Sequence, residues 1–303
     1  MTVSIIIPTF NRSAQLSELI QALRKQSFNE FEVIFANDGS TDNTTEVLHQ
    51  YQLEVQDLKI KVVNSENIGR ARIRNLAVTH ADSDLLIFYD DDVRPNVHSV
   101  KQHVLSHSKY DELLIVSGSC NYDSTRFTHL FSEFRQEMEG LWTDGASNLM
   151  ESKTLRINGG NFSIKRKLFQ EIGGFDERLR DKEDFKLSYD AKQYHGARVL
   201  NNPESWVFHD DFKNLTEFIE RGIESRKEEQ KLKQLDSSIE KFDPDRFNIT
   251  LPKEFKFQIA GIIFRNKIVL HFIEWFLGLK LLPNRIAFKL YDICITVNIQ
   301  YFK

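Results

Sequence analysis

Three consecutive carboxylates, Asp90, Asp91 and Asp92, close the run "LLIFYDDD" over residues 85–92. Adjacent like charges repel, so a chain that sets them at the end of a buried strand must bring something positive to them. Side chains alternate along a strand, which points Asp90 and Asp92 the same way. Hard oxygen ligands of this kind suit Mg2+ or Mn2+, ions that share their coordination shell with phosphate oxygens, and a diphosphate is the obvious second partner. A solvated acidic turn is the bland alternative, and the five apolar residues before the triplet argue against it. A second acidic pair, Glu183 and Asp184 in "DKEDFKLSY", again sets like charges side by side, which works to raise one of their pKa values.

Competing chemistries would leave different signatures. An EF-hand loop needs a glycine and a distal glutamate in a frame that neither the triplet nor "NDGSTDNT" supplies. A nicotinamide dehydrogenase needs Gly-x-Gly-x-x-Gly after its first strand, and "IIIPTFNRS" lacks it. A phosphatase of the Asp-x-Asp type also carries two carboxylates after an apolar strand, with Asp90 as nucleophile, and stays open.

The elements that must position these groups follow from hydrophobic rhythm. Up to about residue 120, the runs "VSIIIP", "FEVIFAN", "KIKVVN", "DLLIFYD" and "LLIVSGS" alternate with stretches of helical spacing. One such stretch is Ser13 to Gln26, with Leu16, Leu19, Ile20 and Leu23 on one face and Ser13 as a possible cap. Strand, helix, strand implies a mostly parallel sheet with helices on both faces, in which ligands sit past the carboxyl ends of the strands. Residues 121–212 are less regular, with a Gly-rich loop "NGGNFSIKR", a helix and a final strand "SWVFHDD".

Charged residues make up 28% and hydrophobic ones 41% of the 303, the balance of a folded globular protein. The formal charge of −4 offers no argument for nucleic acid as a partner. Two cysteines, Cys120 and Cys294, support neither a disulfide framework nor a thiolate zinc site. The start "MTVSIIIPTFNR" lacks the basic lead of a secretory signal, and no stretch is apolar for the roughly 18 residues of a transmembrane helix, so the expected location is cytoplasmic. Residues 253–303 differ, with eight Lys or Arg against three Asp or Glu, and ten aromatic residues. Basic and aromatic residues on apolar helical segments are what a helix lying at the inner face of a membrane shows, or else a helical subdomain packed on its neighbours. The expected organisation is one α/β domain over 1–220, in halves 1–120 and 121–220, a charged helical linker over 221–250, and a basic, aromatic-rich helical C-terminal extension over 251–303.

The order of "SIIIPTFNR", "NDGSTDNT", "NIGRARIRNLAV", the Asp triplet, "GGNFSIKRKLFQEIGGFDERL", "KEDFKLSY" and "VFH" resembles that of family 2 glycosyltransferases with the GT-A fold, over residues 3–212. The resemblance implies a metal-dependent, inverting, non-processive transferase that uses a nucleotide-diphosphate sugar, with a saccharide or lipid-linked acceptor. A binding protein for nucleotide sugars without turnover is the further alternative. By the same resemblance, Thr9, Phe10 and Asn11 flank the nucleotide base and Asp38 accepts a hydrogen bond from a uracil. Asn67, Gly69, Arg74 and Asn75 lie near the donor phosphates and sugar, with Arg70 and Arg72 as rival cations, while Asp42 reads as a helix cap. Asp92 and Asp90 match the metal motif with Asp91 beside them, and His209 matches a residue that ligates the metal or touches the diphosphate. Asp184, paired with Glu183, matches the base that takes the acceptor proton. Asn161 and Asp176 would line the acceptor side, loop residues 121–156 with Trp142 would set acceptor choice, and Arg221 would approach the phosphates.

Overall fold

The computed structural model describes residues 1–110, 113–123, 125–126, 128–142, 148–152, 154–211, 213–242, 247 and 261–300. The chain divides into two compact units, Met1–Asn121 with Glu139–Asp211, and Tyr122–Met138 with Phe212–Lys303.

In the first unit the β-branched runs form β1 (Val3–Thr9), β2 (Phe31–Asp38), β3 (Lys59–Ser65) and β4 (Leu85–Tyr89), paired in parallel in the order β3-β2-β1-β4. Helices α1 (Leu16–Arg24), α2 (Thr44–Glu54) and α3 (Arg70–Thr79) make the crossovers. Helix α1 buries Leu16, Leu19, Ile20 and Leu23, the face its spacing predicts. Ser13 does not cap it; the hydroxyl donates instead to Asp42 Oδ2 at 2.9 Å.

Beyond β4 the sheet turns mixed. Strand β8 (Asn161–Lys165) runs antiparallel to β4 and to β6 (Leu114–Asn121), while β9 (Arg198–His209) runs parallel to β6. Two short strands, β5 (Val93–Pro95) and β7 (Met150–Glu151), pair antiparallel with β9. The segment expected to be a Gly-rich loop therefore supplies a central strand, and residues 161–164 are fully buried on both faces, a pattern the preceding glycine pair hides from view. Helices α4 (Ser99–Lys109), α6 (Arg166–Ile172) and α7 (Glu183–His195) complete this unit.

The second unit is helical: the start of α5 (Leu130–Trp142), α8 (Leu215–Leu235), α9 (Ser238–Phe242), α10 (Lys267–Gly278), α11 (Asn284–Ile295) and a π-helical turn at Thr296–Gln300. The expected boundary at 220 and linker at 221–250 differ from this arrangement. Leu215 and Ile219 of α8 share a core with Leu130, Phe131 and Phe134 of α5 and with Leu277, Ala287 and Tyr291, so α8 and a piece of the expected acceptor half belong to the helical unit. Asn214 and Glu217 form a capping box that starts α8. No helix among the described residues is long and apolar enough to cross a membrane. Residues 143–147, the Trp142 side chain and residues 251–260 lie outside the described part.

Candidate active site

Strand β4 ends at Tyr89 and delivers Asp90 to the carboxyl edge of the sheet. The fully buried Arg74, on α3, sets Nη2 2.5 Å from Asp90 Oδ1 and Nη1 3.0 Å from Glu183 Oε1. Arg70, one turn earlier, sets Nε 3.2 Å from the same Glu183 oxygen and Nη2 3.6 Å from Asp90 Oδ2. Burial alone would raise the Asp90 pKa, but Arg70 and Arg74 outweigh it and bring the carboxyl down to about 2. The same carboxylates keep Arg70 protonated against the burial that opposes its charge.

Asp91 and Asp92 are compensated less well. Arg12, just past β1, is their shared cation, with Nε 3.3 Å from Asp91 Oδ1 and Nη2 3.3 Å from Asp92 Oδ2. Burial, with the neighbouring Asp92 charge, pushes Asp91 up to about 7. Asp92 Oδ1 is buried without a hydrogen-bond partner and sits 3.5 Å from Nε2 of His209, the last residue of β9. Strand β5 pairs with β9 at Val93 and His209, and this pairing brings the imidazole to the triplet.

Glu183 and Asp184 open α7, where the positive end of the helix favours carboxylates. Asp184 is nonetheless pushed up to about 6, by burial first and then by the Glu183 charge. The preceding "NGG" explains how two acids from distant elements come together. A Cβ on Gly159 would stand 2.7 Å from Asp184 Oδ2, and one on Gly160 would stand 2.7 Å from Asp90 Oδ2. Only bare backbone fits between them. The Gly159 carbonyl also accepts from Arg74 Nη2 at 3.0 Å. Beneath this edge, Phe175 packs edge-on against Phe88, Phe162 and Phe169, with the Arg74 guanidinium 5.5 Å from its ring centre.

Beside these acids lies a cavity of about 390 Å³ lined by Asn67, Gly69, Arg70, Arg72, Leu179 and Arg180, with Glu177 at Arg72. Three arginines and one glutamate give its lining a net positive charge. Among the described residues no group of three or more His, Cys, Asp or Glu is gathered as a preformed metal cluster. Asp92 Oδ1, a buried hard oxygen that accepts no hydrogen bond and faces the His209 imidazole, does suit a divalent cation whose shell is completed by ligand oxygens.

Residues 4–173, more than half of the chain, match the family described as Glycosyl transferase family 2. The chain belongs to that family. A validoxylamine A glucosyltransferase of Streptomyces hygroscopicus is 28% identical over 231 residues, which cover 67% of this chain and 54% of that protein. The poly(ribitol-phosphate) beta-N-acetylglucosaminyltransferase TarS of Staphylococcus aureus is 33% identical over 103 residues, 33% of this chain and 18% of that one. The chain thus spans about half the length, or less, of these curated relatives. Among solved structures, the mannosyltransferase PcManGT of Pyrobaculum calidifontis, in complex with GDP-Man and Mn2+, superposes with a TM-score of 0.64 at 19% identity, over 97% of this chain and 85% of that one. TarS 1–349 in complex with UDP superposes with a TM-score of 0.56 at 19% identity, over 98% and 90%. The GT-A fold expected from the sequence is shared with both.

Within this family member, several residues expected at the ligands are occupied elsewhere. Asn75 gives its amide to the Phe175 carbonyl and takes the Phe175 N–H, both at 2.9 Å, so it locks the "GGF" turn. Asn161 is fully buried in β8, bonded to His103 and to the Ser119 and Ser205 carbonyls, and lines no acceptor surface. Asp176 holds Arg178 through both oxygens, at 2.8 and 2.6 Å. Arg74 is sealed between Asp90 and Glu183, and the arginines that reach the cavity are Arg70, Arg72 and Arg180. Asn11, at φ +54°, accepts from the Thr41 and Asp42 N–H groups and ties the end of β1 to the loop after β2. Asp38 accepts from the Ile68 and Gly69 N–H groups, which shapes the Asn67 loop. Asp42 accepts from the Thr44 N–H at the start of α2. Thr9 is buried at the end of β1, whereas the Phe10 ring is 43% exposed. Arg221 lies on α8 in the second unit.

Sequence reasoning missed Arg12 and the spacer role of Gly159 and Gly160. A signal for Arg12 was at hand: a cation directly after the first strand, opposite an acidic triplet in need of one.

Proposed function

We propose that this protein is a metal-dependent, inverting glycosyltransferase that moves a sugar from a nucleotide-diphosphate sugar, a UDP-sugar, to a hydroxyl of a saccharide or lipid-linked acceptor. The reading extends to cell-surface polysaccharide synthesis on the cytoplasmic side of a membrane. The observation that carries it is the adjacency of two acids with opposite titration. Asp184 Oδ2 abuts Gly159 and Asp90 Oδ2 abuts Gly160, yet one pKa rises to about 6 and the other falls to about 2. Such a divergence separates a proton acceptor from a permanent anion.

In this reading the exposed Phe10 ring stacks on the base, and the arginine-lined cavity takes anionic parts of the donor. Asp92 and His209 would hold Mn2+ or Mg2+, with Asp90 behind them. When bound, the ion supplies Lewis-acid stabilisation of the departing diphosphate. Asp184 takes the proton of the acceptor hydroxyl as its oxygen bonds to the anomeric carbon, and the bond to the diphosphate breaks with its electron pair leaving on the diphosphate. Arg74 fixes Glu183 and Asp90 and so holds the two sides of the reaction at a set distance. The Asp-x-Asp phosphatase reading needs Asp90 as nucleophile, and both oxygens of that carboxylate face guanidinium groups.

The test is a panel of UDP- and GDP-sugars with candidate acceptors, with and without Mn2+ or Mg2+, followed by release of the nucleotide. Metal-dependent release with a UDP-sugar is expected. Release of phosphate from simple esters, with no response to any sugar nucleotide, would replace this reading with the phosphatase.

A further inference from the structure

The helical unit presents an apolar face that its own core does not use. Helix α10 buries Leu270 and Leu277 and packs Ile273 and Phe276 against the core of its unit, which satisfies one side of the helix. Its other side is apolar too: Ile268, Phe272, Trp275 and Leu279, at helical spacing, are 80, 59, 61 and 47% exposed. Leu281 and Ile286 extend the patch at 69 and 50% exposed. A helix with apolar residues on two sides, here interrupted on the outer one by the exposed His271, suits a buried setting or a lipid surface, and this one, at 12 residues, is too short to span a bilayer.

Charge decides what covers it. The one acid of α10, Glu274, turns inward and accepts from the Leu215 N–H at 2.7 Å. Lys267 and Lys280 are taken up by Glu220 and Glu133. Arg285 and Lys289, one turn apart on α11 and flanking the exposed Ile286, are themselves exposed. The one acid of α11, Asp292, is exposed one turn beyond Lys289. An exposed apolar stripe that carries a tryptophan, with two exposed basic residues on the next helix, has the chemistry that suits an anionic bilayer surface.

The geometry points to a lipid-docking face formed by Ile268, Phe272, Trp275 and Leu279, with Arg285 and Lys289 reaching the headgroups of anionic lipids. This deepens the membrane part of the function proposed above and rests on it only there. The apolar side chains enter the acyl boundary, and the two basic residues stay at headgroup level, where each near-surface charge is worth about fivefold in affinity.

The test is flotation of the full chain with phosphatidylglycerol–phosphatidylcholine vesicles and with phosphatidylcholine vesicles, alongside Phe272→Ser/Trp275→Ser and Arg285→Gln/Lys289→Gln. Binding to the anionic vesicles is expected, with at least a tenfold loss in each double variant and a blue shift of tryptophan emission that the first variant abolishes. UDP binding, measured by calorimetry, stays unchanged in both, so the outcome is independent of the sugar-transfer reading. Three results would overturn the proposal: no flotation of the wild type, undiminished flotation of the Phe272 and Trp275 variant, or self-association that the same substitutions abolish without any vesicle binding. The last assigns the face to a second copy of the chain.

Discussion

Acids at the two ends of the sheet's strands live in opposite electrostatic surroundings. At the amino end of β2, Glu32 has Oε2 2.9 Å from both Lys59 and Lys61, and its other oxygen takes the Ser4 hydroxyl and the Asp82 N–H at 2.7 Å. Burial works against its charge, but those four partners hold Glu32 below the usual glutamate range. At the carboxyl end, Asp91 and Asp92 share the half-exposed Arg12, Asp91 rises to about 7, and the remaining Asp92 oxygen has the His209 imidazole 3.5 Å away. A satisfied buried acid is architecture. An acid left wanting is a place where something else binds.

The sharpest break in that comparison comes from Asp184. Asp184→Asn is expected to lower turnover by about 10²- to 10⁴-fold with donor binding retained, the range for a positioned base. Because Asp184 must be ionised to accept a proton and its pKa is about 6, wild-type turnover rises with pH through about 6, and the variant loses that limb. Steady-state rates across pH 5–8 decide the matter; a rising limb kept by the variant assigns the base elsewhere.

Removal of the fully buried Arg74 strands two acids at once. Arg74→Met is expected to cost about 3–5 kcal/mol of stability, as for other buried ion pairs that lose one partner, read by urea denaturation. A loss below about 1 kcal/mol would mean that Arg70 alone can hold both carboxylates. Next in size, Asp92→Asn is expected to raise the Mn2+ concentration for half-maximal turnover by about 10- to 100-fold, with the unliganded fold unaffected.

The two smallest effects have opposite signs. Glu32→Gln is expected to destabilise by about 1–3 kcal/mol at pH 7 and to leave turnover unchanged. Its pKa is depressed on folding, so its contribution is present above the ordinary glutamate pKa and disappears in acid. Asp91→Asn is expected to stabilise the metal-free protein by about 1 kcal/mol at pH 8. With the folded pKa raised, wild-type Asp91 loses stability as pH climbs from about 4 through about 7, and the variant escapes that loss. Thermal melts at pH 4.5 and pH 8 in chelator separate the two; a stabilisation by Asp91→Asn that is equal at both values would refute the electrostatic account.

What could be read in the sequence was whatever is local. Period-two runs gave the strand ends, helical spacing gave the buried face of α1, and the acidic clusters announced themselves by repulsion. What could not be read was set by partners far along the chain. Arg74 meets Glu183 across 109 positions, and Asn75 meets Phe175 across 100, so neither spacing nor composition distinguishes an arginine that reaches a ligand from one that welds the scaffold. Asn161 misled for the same reason: its residue type suits a binding surface, but β8 carries it into the middle of the sheet. The helical unit hid its boundary because α5 and α8 meet in a shared apolar core, with α8 disguised by a charged outer surface.

The paired glycines at 159 and 160 carry a lesson for anyone who would redesign this protein. A methyl group at 159 would meet Asp184 and one at 160 would meet Asp90, so neither glycine can be replaced without displacing an acid. Changes of specificity would have to be grafted onto the surrounding loops, leaving that spacer of bare backbone untouched.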